Sequence, residues 1–191
     1  MAGTQFLCFG EYLLYKGNNT YSINSCETIE LFYDIRTNLE KLEYASYITK
    51  IINDVTTENQ NTYKILQLFL NTLYVISKTE KDMEFVTSIF KFRLMSIIGF
   101  KPIISKCCIC NENKEIVYFS LEDSGVKCEQ CGKMDKSAIQ ISKATLDALR
   151  YIIMADCKKI YSFEVPDEAK KELEIISKLY LNEKLEKEYK M

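Results

Sequence analysis

Two hydrophobic periods succeed one another along this chain. Up to Ile29, aromatic, aliphatic and cysteine side chains crowd two runs, Phe6 to Tyr15 and Tyr21 to Ile29, separated by Lys16-Gly17-Asn18-Asn19. Such runs around a Gly-Asn cluster that tolerates positive φ predict a β-hairpin. A lone hairpin is only marginally stable in water, so it must pack on something or belong to a larger sheet. From Glu30 the period turns helical. Leu31, Ile35, Leu39, Leu42, Ala45, Ile48 and Ile52 recur three to four apart, with Asp34, Glu40, Lys41 and Lys50 between them, and predict one helix ending near Asn53.

The same period returns four more times. It predicts a helix from about Asn61 to Ser77 with Ile65, Leu66, Phe69, Leu73 and Ile76 inward, and another from an Asp82 cap through Ile98 to a Gly99 stop. Further on, Ser142 caps a helix carrying Leu146, Leu149, Ile152 and Ile153. Val165-Pro166-Asp167 then opens a last one with Leu173, Ile176, Leu179 and Leu185 inward. The Glu/Lys-rich tail from Asn182 to Met191 reads as a frayed, solvated helix end. The fold class is therefore mostly α, an N-terminal β-hairpin over 1–29 followed by a helical domain over 30–191.

Between the third and fourth helices the pattern breaks for the one constellation whose spacing implies a chemistry. Cys107, Cys110, Cys128 and Cys131 form a C-x2-C-x17-C-x2-C frame. Each pair presents two thiolates from one tight turn, and the intervening residues suffice for a hairpin, strand-like at Ile116 to Phe119 and turning at Ser124-Gly125. That is the spacing of a tetrahedral zinc site, placed in a finger over 104–140. Cys108 could stand in for Cys107 or Cys110, although the spacing of the second pair favours Cys107 with Cys110. Four thiolates leave no open coordination position, so one Zn2+ here holds structure and activates nothing. The rival readings are a redox C-x-x-C, which needs only one such motif, and paired disulfides, which need export. Neither flank offers a linker rich in Pro, Gly or Ser, so the finger is inserted rigidly in one bundle.

Composition narrows the chemistry further. The 191 residues, 47% of them hydrophobic, suffice for a sizeable core, and no N-terminal apolar segment or long uncharged run indicates secretion or a membrane span. With eight cysteines this points to a reducing cytoplasm. Cys8, Cys26 and Cys157 are isolated and carry no assigned chemistry. The chain has no histidine and six glycines, which excludes Ser-His or Cys-His catalysis and leaves no phosphate-cradling loop; no catalytic residue is expected and the chain reads as a non-enzyme. Its 25 basic and 27 acidic residues rule out a uniformly basic nucleic-acid binder. Distribution matters more. From Phe85 to Asn111 the chain carries Lys91, Arg93, Lys101 and Lys106 and no acidic residue, a basic stretch running straight into the first cysteine pair.

Three stretches resemble the RecO family of bacterial recombination mediators. Phe9-Gly10-Glu11-Tyr12-Leu13-Leu14-Tyr15-Lys16-Gly17 with Tyr21-Ser22-Ile23 look like the last two strands of that family's N-terminal OB barrel. Phe90-Lys91-Phe92-Arg93-Leu94 through Gly99-Phe100-Lys101-Pro102 to Cys107-x-x-Cys110 resembles its helix entering the zinc finger. Phe119-Ser120, Gly125 and Cys128-x-x-Cys131 resemble the return hairpin. The resemblance implies a cytoplasmic, nucleoid-associated protein without catalysis. Such a protein binds and anneals single- and double-stranded DNA, binds the single-strand-binding protein and, with RecR, helps load the RecA recombinase. Lys16, Lys91, Arg93, Lys101 and Lys106 are the basic residues in the matched stretches. A tail of the single-strand-binding protein would need an apolar groove with a basic rim. The family pattern also implies about three earlier barrel strands, since an OB fold needs five, so this chain reads as starting part-way into the barrel. Asn111 and Ser124 stand where the family often has glycine. A zinc-stapled helical module that binds a protein partner and no DNA is the alternative.

Overall fold

The structure, a computed structural model, describes residues 2–18 and 20–190. Asn19, the last residue of the expected hairpin turn, lies outside the described residues, as do Met1 and Met191. The hairpin is present. Strands β1 (Phe9–Lys16) and β2 (Tyr21–Glu30) pair antiparallel with Tyr12 opposite Cys26 and Lys16 opposite Tyr21, and two register shifts interrupt the ladder. Among the described residues they pair only with each other. Leu13, Leu14, Tyr15, Tyr21, Ile23 and Ile29 are exposed, while Leu7 and Phe9 pack against the core.

The single helix expected from Glu30 is broken. The Glu30 carboxylate accepts the backbone N–H groups of Leu31 (2.9 Å) and Phe32 (3.0 Å), and buried Phe32 takes a left-handed φ of 44°. A one-turn helix α1 (Tyr33–Arg36) follows, then α2 (Leu39–Val55), whose N-cap Asn38 accepts from Lys41 N–H at 3.0 Å. Leu39, expected inward, is therefore the first residue of a helix and is 82% exposed, whereas Ile35, Ala45, Ile48 and Ile51 are buried.

Helices α3 (Tyr63–Lys78) and α4 (Met83–Ile97) complete the first half of the bundle. In α3 the inward set is Ile65, Leu68, Leu73 and Ile76, with Leu66 facing solvent. α4 begins at its expected cap, Asp82 accepting from Phe85 N–H at 3.0 Å, and ends before Gly99 at φ 105°. It is buried on all sides: Phe85, Val86, Ile89, Phe90, Phe92, Leu94 and Met95 point in every direction around its axis. Its buried Thr87 and Ser88 return their hydroxyl protons to Met83 and Glu84 carbonyls one turn back, so neither is left unpaired.

The cysteine segment contributes β3 (Ile116–Ser120), β4 (Gly125–Cys128), the short helix α5 (Glu129–Lys133) and β5 (Ile139–Gln140), in sheet order β4-β3-β5. Helix α6 (Lys143–Met154), capped by Ser142, and α7 (Asp167–Lys184), opened by Pro166, then close over α4. In α7 the buried side is Leu173, Ile176, Tyr180 and Leu181, and Leu179, expected inward, is exposed.

The tail is not a frayed end. After α7 the chain reverses at Glu186 (φ 49°), and Tyr189 is buried, its N–H donating to Asn182 at 3.2 Å and its phenol near the Asp54 carboxylate of α2. Lys187 pairs with Asp54 at 2.6 Å. Burial and the Asp54 carboxylate push the Tyr189 phenol up to about 12. The tail thus ties α7 to α2. Tyr189→Ala should lower stability by about 3 kcal/mol, read as a fall in the urea midpoint at unchanged slope, because it removes a buried ring and its anchor.

Candidate metal centre

The path from α4 to the cysteines is fixed by strand-like bonds. Ile103 N–H donates to Ser124 O and Val126 N–H returns to Ile103 O, both at 2.9 Å, and Cys108 N–H donates to Val126 O at 2.9 Å. These bonds lay the first cysteine pair beside β4, at whose end Cys128 sits. Gly125 is needed for the approach: a Cβ there would stand 2.9 Å from Cys108 Cβ and 3.0 Å from Ile103 O. The first knuckle closes with Asn111 N–H on Cys107 O (3.0 Å), and the second places Cys131 in the first turn of α5.

The four sulfurs of Cys107, Cys110, Cys128 and Cys131 lie within 4.8 Å of one another, and Cys110 Sγ is 3.9 Å from Cys128 Sγ. Sulfurs about 2.3 Å from a tetrahedral zinc would be about 3.8 Å apart, so the cluster has the size of a metal–thiolate tetrahedron. No pair is close enough for a disulfide, and all are free thiols. Cys108 is outside the cluster, its Cβ against Gly125, which decides between it and its neighbours. Burial pushes the Cys107 thiol up, but amides of Cys128, Cys110 and Ile109 more than offset that and lower it to about 6. Cys131 goes the other way, to about 12, through burial and the neighbouring sulfurs. Four crowded sulfurs resist becoming four anions together unless a cation sits among them, so these residues fit a metal ion.

A second tie holds the finger. Buried Lys127 bridges Asp123 (2.5 Å) and Asp135 (2.7 Å), and Asp135 also accepts from Ser120 (2.8 Å) and Ser137 (2.6 Å). Lys127, with Ser137 and Ser120, holds the Asp135 carboxyl well below the usual carboxylate range, although burial works against it. The finger is docked on the bundle through Phe119, which meets Phe92 and Tyr180 edge-on at 6.0 and 5.5 Å, through Tyr180 OH to Phe100 O (3.0 Å), and through Arg150 Nε to Ile104 O (3.2 Å).

The expected basic residues fall in three environments. Lys16 is exposed at the hairpin tip, and Lys101 and Lys106 are exposed on the segment that enters the finger. Arg93 is half-buried, one guanidinium nitrogen donating to the carbonyls of Ile152 (3.2 Å) and Ile153 (2.6 Å) at the end of α6. Lys91 is in the core, 3% exposed, its ammonium 5.3 Å over the Tyr47 ring, and burial lowers it to about 8. Its burial takes it off any phosphate-facing surface. Arg93 and Lys101 share a cleft of ≈370 Å³ with Lys64 of α3, which had no sequence signal beyond its place on a polar helix face.

A helical bundle with a docked four-cysteine ribbon, entered along an exposed basic segment and preceded by a β-hairpin, defines the class: a helical protein with an inserted four-cysteine finger that could hold a metal ion. The chain belongs to the RecO family, for residues 36–191 match the family model described as Recombination protein O C terminal. It is 43% identical over 190 residues to the DNA repair protein RecO of Acetivibrio thermocellus, covering 99% of this chain and 76% of the relative. Identity to the DNA repair protein RecO of Alkaliphilus metalliredigens is 29% over 182 residues, 95% of this chain and 74% of that one. For that of Clostridium perfringens it is 30% over 171 residues, 89% and 75%.

Both finger turns that lack glycine are left-handed, Asn111 at φ 60° and Ser124 at φ 50°. Serine carries the larger strain, since Asn tolerates this region. Ser124→Gly should therefore raise the unfolding free energy by about 1 kcal/mol, and Asn111→Gly by less, measured in parallel urea titrations of the metal-loaded protein.

Proposed function

We propose that this protein is a DNA repair and homologous-recombination mediator that binds and anneals DNA and, with RecR, helps load the RecA recombinase. Family membership supports the repair role. The observation that carries the DNA reading is the placement of Lys101 and Lys106, exposed on a segment whose both ends are clamped, to α4 and to the finger. Lysines carried on a fixed backbone reach phosphates without the segment first being ordered, and annealing two like-charged strands demands that neutralisation. Lys16 at the hairpin tip and Arg93 in the cleft complete the proposed contacts.

In this reading residues 1–29 are the last strands of an OB barrel, 30–191 the helical domain and 104–140 its finger. The metal is a single Zn2+, held by Cys107, Cys110, Cys128 and Cys131 in their thiolate forms. It supplies fold stability only, since its four positions are filled by protein, and no bond of the DNA is made or broken. The protein works in the bacterial cytoplasm at the nucleoid, with the single-strand-binding protein as a further partner. No helix among the described residues is long and apolar enough to cross a membrane.

Anisotropy of a labelled single-stranded oligonucleotide tests the DNA reading. Binding should weaken by orders of magnitude between about 50 and 200 mM salt, and Lys101→Glu/Lys106→Glu should lose most of it and flatten the salt slope by about two phosphates. A salt-insensitive interaction with a protein partner and no DNA binding would instead establish a zinc-stapled interaction module. For the metal, one zinc per chain is expected by elemental analysis. A strong chelator should unfold the finger, seen as faster amide exchange in β3 and β4, before the bundle melts. A reactive, metal-free dithiol would refute the zinc assignment.

A further inference from the structure

The charges of the helical domain are segregated along α4. Around its first turn lie Glu40, Glu80, Asp82, Glu84, Asp167 and Glu174, and three of the four lysines among them are committed, Lys41 to Glu80, Lys170 to Asp167 and Lys81 to Glu164, which leaves Lys171 as the one cation there outside an ion pair among the described residues. Some twelve residues further on, about 18 Å along the axis, the opposite holds. There the ≈370 Å³ cleft between α3, α4 and the end of α6 gathers Lys64, Arg93 and Lys101 against one carboxylate, Asp156. Asp156 is itself engaged in capping, accepting from Lys158 N–H at 2.9 Å. Lys64 and Lys101 have no carboxylate partner among the described residues. The Nε of Arg93 is buried with no acceptor, while one of its two terminal nitrogens, Nη1, is pinned by the α6 carbonyls. Two ammonium groups without a carboxylate partner, beside a guanidinium held in place by backbone carbonyls, line an open cleft with the charge an oxyanion would neutralise.

Resting on the DNA reading above, we propose that this cleft is a phosphodiester-binding site, in which Lys64, Arg93 and Lys101 grip the backbone of a DNA strand as it leaves the finger-entry segment. Lys101 lines the cleft and also begins the segment that carries Lys106, so one strand can pass from one to the other without crossing the acidic end of α4. Among the described residues no aromatic ring lines the cleft, and Ile97 and Ile153 form its apolar wall. It therefore offers no stacking platform for bases and reads backbone alone, which makes its grip independent of sequence.

Lysine footprinting on the intact zinc-loaded protein tests this directly. An amine-acetylating reagent is applied with and without oligothymidylate, and each lysine is quantified by mass spectrometry, alongside anisotropy of Lys64→Glu and of Lys171→Glu, an equal charge reversal at the acidic end. The expected result is severalfold protection of Lys64 and Lys101 but not Lys171, about tenfold weaker DNA binding for Lys64→Glu, little change for Lys171→Glu, and the same affinity for a mixed-sequence oligonucleotide. DNA binding with Lys64 unprotected and Lys64→Glu at wild-type affinity would overturn the cleft while leaving the Lys101/Lys106 reading intact. Absence of DNA binding by the wild-type protein would overturn both. Protection of Lys64 and Lys101 by an acidic peptide, with none by the oligonucleotide, would overturn the phosphodiester assignment in favour of a protein tail.

Discussion

Helix α4 carries large apolar side chains around its whole circumference, and the rest of the helical domain is arranged to cover them. A helix with large apolar side chains on every side gains from burial only when neighbours surround it, at about 25 cal/mol for each Å² withdrawn from water. Helices α2, α3, α6 and α7 supply most of the wrapping. The finger supplies the remainder through Phe119, whose ring completes an aromatic cluster with Phe92 and Tyr180. The finger is thus part of the core's wall as well as a surface device, and its orientation on the bundle is set by packing before any ligand is considered.

That arrangement separates what holds the finger together from what holds it in place. Its two knuckles meet at the four sulfurs, which could share a metal ion. The Lys127, Asp123 and Asp135 triad ties the β4 strand to the loop beyond α5, and the ring of Tyr118 lies over Gly132, where any Cβ would collide with it. Buried ion pairs contribute little net stability compared with apolar replacements, yet losing one partner leaves a charge stranded. The triad therefore acts chiefly to select one geometry, and the exposed basic segment inherits its fixed path from that selection.

The spacing of the four cysteines, the Asp82 and Ser142 caps and the Pro166 start were legible because each is a local signal whose partner lies within a few residues. The failures share the opposite property. Leu31 and Ile35 continue a helical period across a break made by the Glu30 carboxylate and a left-handed Phe32, so the pattern concealed the interruption. Tyr189 sits among charges that suggest solvent, and its burial depends on Asp54, far away in the sequence. Lys91 looks like one more cation in a basic run, and only the closure of α7 and the tail over α4 turns it into a core residue. The cleft around Lys64 needed three separate helices to be brought together before it existed at all.

The wrapping of α4 also has a schedule. Translation delivers α4, complete at Ile97, well before α7, which begins at Asp167 and covers much of it. In that interval the most deeply buried helix among the described residues is displayed on a nascent chain with only α2 and α3 to shelter it, and the finger must be synthesised before the cover arrives. Surface of that kind attracts holding chaperones and, failing them, other nascent chains. The order of the chain thus makes the interval between α4 and α7 the stretch of synthesis in which this fold exposes most of the surface it later buries.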